Sequence, residues 1–379
     1  MSRKWGAACG VIAALISNAA LAQEPIAPEE LKVEEAIKPG PNVYVVSPSW
    51  GGAGAISIFS ADDLAYKGNF ATGMTAQFTL GAKGDVGYAA SAFPKRITYG
   101  PIEAVLQKFD VSTLKTTQEV AILPKFAQTA AMQGALQVTP DGARAYIQNA
   151  TPATSVSIVD LKTGALTAEA PIPGCWTVIP TEDGGGFSSL CGDGTMLTVK
   201  VGADGKPSGQ AYSDKIFDVE KDPLFIHAQR VKGDLYFMSY KGVLYRVSDK
   251  GPAAKLVETY AITDGIAGDW APGGYEVMSY SAPYGIMFVL MHSGAKDGSH
   301  KNPSEEIWAV DVAKKTVLYR SVAKGLTHLA VTQAKVPLVF GVDGHGGGLY
   351  RFEVDPAARF AAKLTNEIEL KDAGYVVAP

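Results

Sequence analysis

The chain has 379 residues, of which 47% are hydrophobic and 19% charged, with a formal net charge of −4. No long basic cluster interrupts this mildly acidic balance, so nucleic acid and anionic membrane surfaces are excluded as natural partners. No HExxH, GxSxG, CxxCH or EF-hand pattern occurs either, which leaves a zinc hydrolase, a serine hydrolase and a haem without local support.

The chain opens MSRKWGAACGVIAALISNAALAQEP. Arg3 and Lys4 precede an apolar run from Trp5 to Ile16, and Ala20-Leu21-Ala22 gives the small-x-small cleavage pattern, so residues 1–22 read as a secretory signal peptide. The apolar run is short for a membrane anchor. Cys9 leaves with the signal and is not at the cleavage point, so no lipid anchor is expected. The mature chain, at net charge −6 without Arg3 and Lys4, has no apolar run long enough to span a membrane. It is expected to be soluble and exported, which in a Gram-negative cell is the periplasm. Residues 23–41, rich in Pro and Glu, read as an extended arm outside the core.

From residue 42 onward the chain repeats itself. Seven runs have the form strand, polar turn, strand: "AISIFSADDLAYKGNF", "AVLQKFDVSTLKTTQEVAI", "SVSIVDLKTGALTAEAPI", "MLTVKVGADGKPSGQAYS", "VLYRVSDKGPAAKLVETY", "EIWAVDVAKKTVLYRSVA" and "GLYRFEVDPAARFAAKLT". Marked at Ile56, Leu106, Val156, Leu197, Leu244, Ile307 and Leu349, their spacings run from 41 to 63 residues. Asp110, Asp160 and Asp311 fall where a strand hands over to a turn. Further strand candidates, "ARAYIQNA", "DLYFMSY", "GIMFVLM" and "PLVFGVD", each precede a hairpin as the second strand of a four-stranded unit would. Period-two alternation and abundant glycine argue for an all-β fold. Seven units of this length predict a seven-bladed β-propeller over residues 42–379, against a large sandwich or a β-helix.

Cys175 and Cys191 are the two cysteines of the mature chain. Exported thiols tend to pair, and zinc would need ligands that no nearby His or second Cys pair supplies. A disulfide is expected between neighbouring strands early in the fourth blade, closing a loop worth ~3 kcal/mol in chain entropy. The histidines His227, His292, His300, His328 and His345 are scattered singly. A channel metal assembled from distant residues is the competing enzymatic reading. "GDWAPGGYEVMSY" (268–280) reads as a long loop before the sixth blade, and "NFATGMTAQFTL" (69–80) puts Phe70 on a loop between the first two blades. From spacing alone Phe70 is a core or inter-blade aromatic.

Several stretches together resemble one family, the heavy (β) subunit of the tryptophan tryptophylquinone amine dehydrogenases. They are "RITYG" (96–100), "LQVTPDGARAYIQNATPATSVSIVD" (136–160), "GCWTVIP" (174–180), "CGDG" (191–194), "KDPLFIHA" (221–228), "PGGY" (272–275) and "MHSGAKDGSHKNPSEEIWAVD" (291–311). The resemblance implies a seven-bladed propeller, a Cys175–Cys191 disulfide, and no catalytic residue, cofactor or metal in this chain. It places the tryptophan tryptophylquinone and the catalytic base on a separate, disulfide-dense light subunit. It further implies two heavy and two light chains in the periplasm, oxidising a primary amine to aldehyde and ammonia. Electrons would pass to a blue copper protein of the azurin or amicyanin type. Phe70, by its position in "GNFATGM", is the match to a heavy-chain phenylalanine along the substrate channel. "QNATPATS", "GCWTVIP" and "KDPLFI" lean toward aromatic amines over methylamine. The alternative from another class is a stand-alone periplasmic propeller that binds a ligand or protein.

Overall fold

In the computed structural model all seven marker residues fall on the third strand, counted from the innermost, of an antiparallel sheet, from Ile56 in Gly54–Ser60 to Leu349 in Gly348–Asp355. Residues 34–128, 131–344 and 347–379 are described. The signal peptide (1–22), residues 23–33 of the expected arm and His345 lie outside them. All described strands belong to one unit, Ala36–Pro379.

Seven sheets make seven blades. The four second-strand candidates form Arg144–Asn149, Asp234–Met238, Ile286–His292 and Leu338–Asp343, each hydrogen-bonded to its hairpin. Middle strands are apolar on both sides because each blade packs between two others. Ser155–Asp160 is buried along almost its whole length, whereas the outermost strand Lys255–Ala261 has no buried residue. The apolar clusters accordingly lie between blades: Tyr146, Ile158, Phe187 and Val199, for example, join the third to the fourth.

The turns between third and fourth strands in the second, third and sixth blades follow one design. The Asp110 carboxylate accepts from the Thr113 N–H at 2.7 Å and its hydroxyl at 2.8 Å, and Asp160 accepts from the same groups of Thr163. Asp311 caps the turn at Lys314. These bonds, the backbone N–H first, hold the Asp110 and Asp160 carboxyls below their ordinary range.

The first blade is closed by a strand from far down the chain. Tyr375–Val377 pairs with Asn42–Ser47, setting Val377 opposite Tyr44. The buried Tyr375 hydroxyl then reaches the next blade, donating to Phe78 O at 2.8 Å and accepting from Phe78 N at 2.7 Å. Residues 34–41 contain no strand, but Ile37 is half-buried beside Leu114 in the cluster between the first two blades and donates its N–H to Ser112 O at 2.8 Å. The end of the expected arm thus touches the core.

The sixth blade departs from the predicted loop. Within 268–280, Ala271–Pro272 and Met278–Ser281 both pair with Ile286–His292, giving this blade a fifth strand. The long 63-residue spacing is shared with the segment 293–305, which carries the short 3-10 turn Ser299–Lys301.

Candidate functional site at the channel mouth

The connections that enter innermost strands, and those joining second to third strands, emerge on one face of the ring. There they surround a cavity of about 550 Å³. Its wall is assembled from blades far apart in sequence: Trp50 from the first, Phe225, His227 and Tyr240 from the fifth, Glu276 and His300 from the sixth.

The cavity has a floor because the chain entering the third blade turns inward. Gln133–Ala135 forms a 3-10 turn there. Met132 donates its N–H to Gln77 Oε1 at 2.9 Å, tying the turn to the second blade. The Gln133 N–H reaches Glu276 Oε1 at 2.7 Å, and Gln133 Nε2 reaches Glu276 Oε2 at 2.8 Å. Gln133 Nε2 also approaches Val376 O in the first blade at 3.4 Å. Gly134 lets this turn come close, since a Cβ there would overlap Thr177 Oγ1 of the fourth blade. Thr177 itself has φ 68°, a left-handed conformation costly for a β-branched residue, and sits at a bulge in the innermost strand Cys175–Pro180.

Glu276 is placed by the interruption in the sixth blade's inner edge. Gly274, at φ 128°, packs where a Cβ would meet Thr327 O. Tyr275 N then bonds Thr327 O at 2.8 Å, and Leu329 N bonds Glu276 O at 3.2 Å, so the segment runs beside the seventh blade's first strand. The Glu276 side chain ends up 3% exposed. It makes no ion pair among the described residues.

Three of the histidines that the sequence scatters meet here. His328 is buried, stacks on Tyr275 with ring centroids 5.4 Å apart, and lies with Nδ1 3.1 Å from Thr327 Oγ1. Burial pushes its pKa down to about 4, against the opposing pull of Glu276. His300 stacks face to face on Tyr240 at 3.9 Å, and burial, helped by Lys301, lowers its pKa too. Gln229 donates Nε2 to His227 Nε2 at 2.7 Å while its Oε1 accepts from Tyr280 N at 3.1 Å, which fixes the amide's orientation. The buried His292 lies apart, with Nδ1 2.8 Å from Ser293 O. Among the described residues no group of three or more His, Cys, Asp or Glu side chains is arranged to hold a metal.

Phe70 is not on a loop. It belongs to the outermost strand Tyr66–Thr72 of the first blade, is 1% exposed, and stacks on Phe109 at 4.4 Å beside Phe78 at 6.2 Å. Its neighbours make it an inter-blade core aromatic, and it does not line the mouth cavity. The aromatic that does stand on an early loop at the rim is Trp50, 59% exposed between two strands of the first blade. Its only signal in the sequence is a large aromatic beside Gly51 and Gly52 in an otherwise polar turn. Farther round the same face the second blade exposes Phe93 at the end of the strand Val86–Pro94 and Ile97 and Tyr99 on the loop after it, with the Arg96 guanidinium 5.3 Å from the Tyr99 ring.

Cys175 and Cys191 form the disulfide, joining directly opposed residues of the first two strands of the fourth blade.

The fold and site define a seven-bladed propeller whose channel is plugged below an aromatic, histidine-rich mouth. Solved propellers share its frame: a candidate 6-phosphogluconolactonase from Bacteroides fragilis superposes at TM-score 0.59 with 12% identity, covering 92% of this chain and 99% of that one. The Cps50 (Swd1) β-propeller domain from Myceliophteria thermophila does so at 0.55 with 11% identity, covering 79% and 88%. At such identities the likeness concerns the fold alone. The family profile of the methylamine dehydrogenase heavy chain matches residues 41–367, and the chain belongs to that family. It is 26% identical to the methylamine dehydrogenase heavy chain of Methylorubrum extorquens over 57% of this chain and 53% of that protein. With that of Methylophilus methylotrophus it is 23% identical over 70% and 65%. The chain thus spans between half and two-thirds of the length of these relatives.

Proposed function

We propose that this chain is the non-catalytic heavy subunit of a periplasmic quinoprotein amine dehydrogenase, which oxidises primary amines to aldehyde and ammonia. The observation that carries the proposal is the family match across residues 41–367, which takes in nearly the whole propeller. A tryptophylquinone, when bound, is the electrophile that accepts the amine's electrons. This chain's own residues do not fit that group. Among the described residues the one close tryptophan pair, Trp270 and Trp308, has the Arg320 guanidinium 4.3 and 4.9 Å from the two rings, and neither tryptophan lines the mouth cavity. In this reading the cofactor and catalytic base belong to a light subunit, in an assembly of two heavy and two light chains that passes electrons to a blue copper protein.

The light subunit docks on the face that carries the cavity. Trp50, Phe93, Ile97 and Tyr99 give that face exposed apolar area of the kind that interfaces bury. The channel-lining role then suits Trp50 at the rim. The aromatic wall formed by Trp50, Phe225, Tyr240 and Tyr275 supports a preference for aromatic amines over methylamine.

The test is co-expression with a small, cysteine-rich reading frame from the same gene neighbourhood, followed by co-purification and amine-dependent dye reduction. The complex is expected to reduce dye and the isolated chain to be inert. Dye reduction by the isolated chain would overturn the subunit role. Failure to find or capture a light chain would favour a stand-alone periplasmic propeller.

A further inference from the structure

We infer that the channel-mouth cavity seats an organic ammonium ion, a protonated primary amine on an apolar body, with the Glu276 carboxylate as its counter-charge. A carboxylate this deeply buried is costly unless its charge is compensated. Glu276 is 3% exposed, and among the described residues its carboxylate accepts hydrogen bonds only from the neutral amide groups of Gln133, at 2.7 and 2.8 Å. These satisfy lone pairs but leave the negative charge in place. No Lys or Arg pairs with it among the described residues.

The nearest candidate for a counter-ion is His328, on the adjoining strand of the seventh blade. Burial keeps that imidazole neutral at physiological pH, with its pKa near 4, so it does not neutralise the site. At the rim, Lys301 and Asp372 are both exposed and of opposite sign. The floor is thus the negative end of the cavity.

The walls narrow the class of cation. Tyr275, Tyr240 and Trp50 line the cavity with aromatic rings, of the kind that attract an ammonium and also accept the apolar body behind it. A divalent metal is disfavoured because no group of three or more ligating side chains is assembled among the described residues. An anion would meet Glu276. A volume of about 550 Å³ lies within the range that holds a small organic molecule. The inference deepens the proposed function, and rests on it only for the claim that the bound ion is substrate on its way to the light chain.

Calorimetric titration of the isolated full chain at neutral pH with benzylammonium and with benzyl alcohol tests the seat. The ammonium is expected to bind about tenfold more tightly than the neutral isostere, the scale of one hydrogen bond to a charged group. Glu276→Gln, which keeps the shape and removes the charge, should abolish that preference. Equal affinities for the two ligands, or an unchanged preference in Glu276→Gln, would overturn the proposal. The wild-type comparison stands even where the variant does not fold. Trp50→Ala, at an exposed position, should weaken both ligands, and unchanged affinities would remove the aromatic wall from the seat. Amine turnover by the heavy–light complex is measured separately. Binding without turnover leaves the seat and removes the dehydrogenase role, and turnover without binding does the reverse.

Discussion

Gln133 and Glu276, 143 positions apart in the chain, meet across the channel through two hydrogen bonds of 2.7 and 2.8 Å. The pair ties the turn entering the third blade to the inner edge of the sixth, so the plug is fastened on its far side. Gln133→Ala would keep the backbone bond and leave one buried carboxylate oxygen without its donor. A loss of about 1–3 kcal/mol is expected, read as a lower urea midpoint with an unchanged slope.

Phe70→Ala removes a ring stacked between two blades. It is expected to cost about 3–5 kcal/mol and to leave the ranking of amines by the assembled enzyme unchanged. Thermal unfolding measured beside kcat/KM for short and bulky amines checks both halves. A stable variant with a new ranking would restore Phe70 to the channel.

Trp50→Ala should behave in the opposite way. The side chain is mostly in solvent, so stability should move by no more than about 0.5 kcal/mol. Bulky amines should gain or lose relative to small ones by a factor on the order of 10 in kcat/KM. An unchanged ranking would take Trp50 out of the substrate's path.

The disulfide predicts an intact mass two hydrogens below the reduced form, and the proposed export predicts an N-terminus at Gln23. Replacing both Cys175 and Cys191 by Ser should cost about 2–4 kcal/mol while the blades still form. Two titratable thiols in freshly isolated protein would contradict the bridge.

His328 makes stability depend on pH with a definite sign. Its folded pKa of about 4 lies below the ordinary value of 6.5, so between these limits the unfolded chain binds the extra proton. Stability from this group is therefore complete above pH ~6.5 and declines as the pH falls toward 4, by roughly 3 kcal/mol at most. His328→Gln should flatten that part of the profile in denaturation measured at pH 7 and pH 5.

The blades were legible because their signal is local. Alternation recurs in runs such as Ser155–Asp160, and an aspartate stands four residues before a left-handed position at Leu114, Gly164 and Lys315, where the third strands of the second, third and sixth blades end. Cys175 and Cys191 were legible for a similar reason, being the ends of one hairpin. The site was not, because closing the ring brings together residues whose neighbours in sequence say nothing of each other. His227, His300 and His328 look solitary until three blades converge. Glu276 reads as one more charge in "GGYEVM" until Gln133 is seen to cover it. Phe70 misled because the residues around it, "GNFATGM", carry glycines that read as a loop, whereas hydrogen bonding to Ile56 makes the stretch an edge strand.

The pairing of Tyr375–Val377 with Asn42–Ser47 also sets an order of events. A blade made wholly from consecutive residues can assemble soon after its last strand appears, but the first blade must wait. Its innermost strand, and the Tyr375 hydroxyl that anchors it 297 positions from Phe78, arrive only after the other six blades have been synthesised. Contacts so distant in sequence form slowly, because much chain entropy is lost before they contribute. Until then one side of the second blade's apolar cluster stays open to solvent. The blade that is synthesised first is the last to be finished, and the interval before it closes is when the chain is most exposed to aggregation and proteolysis.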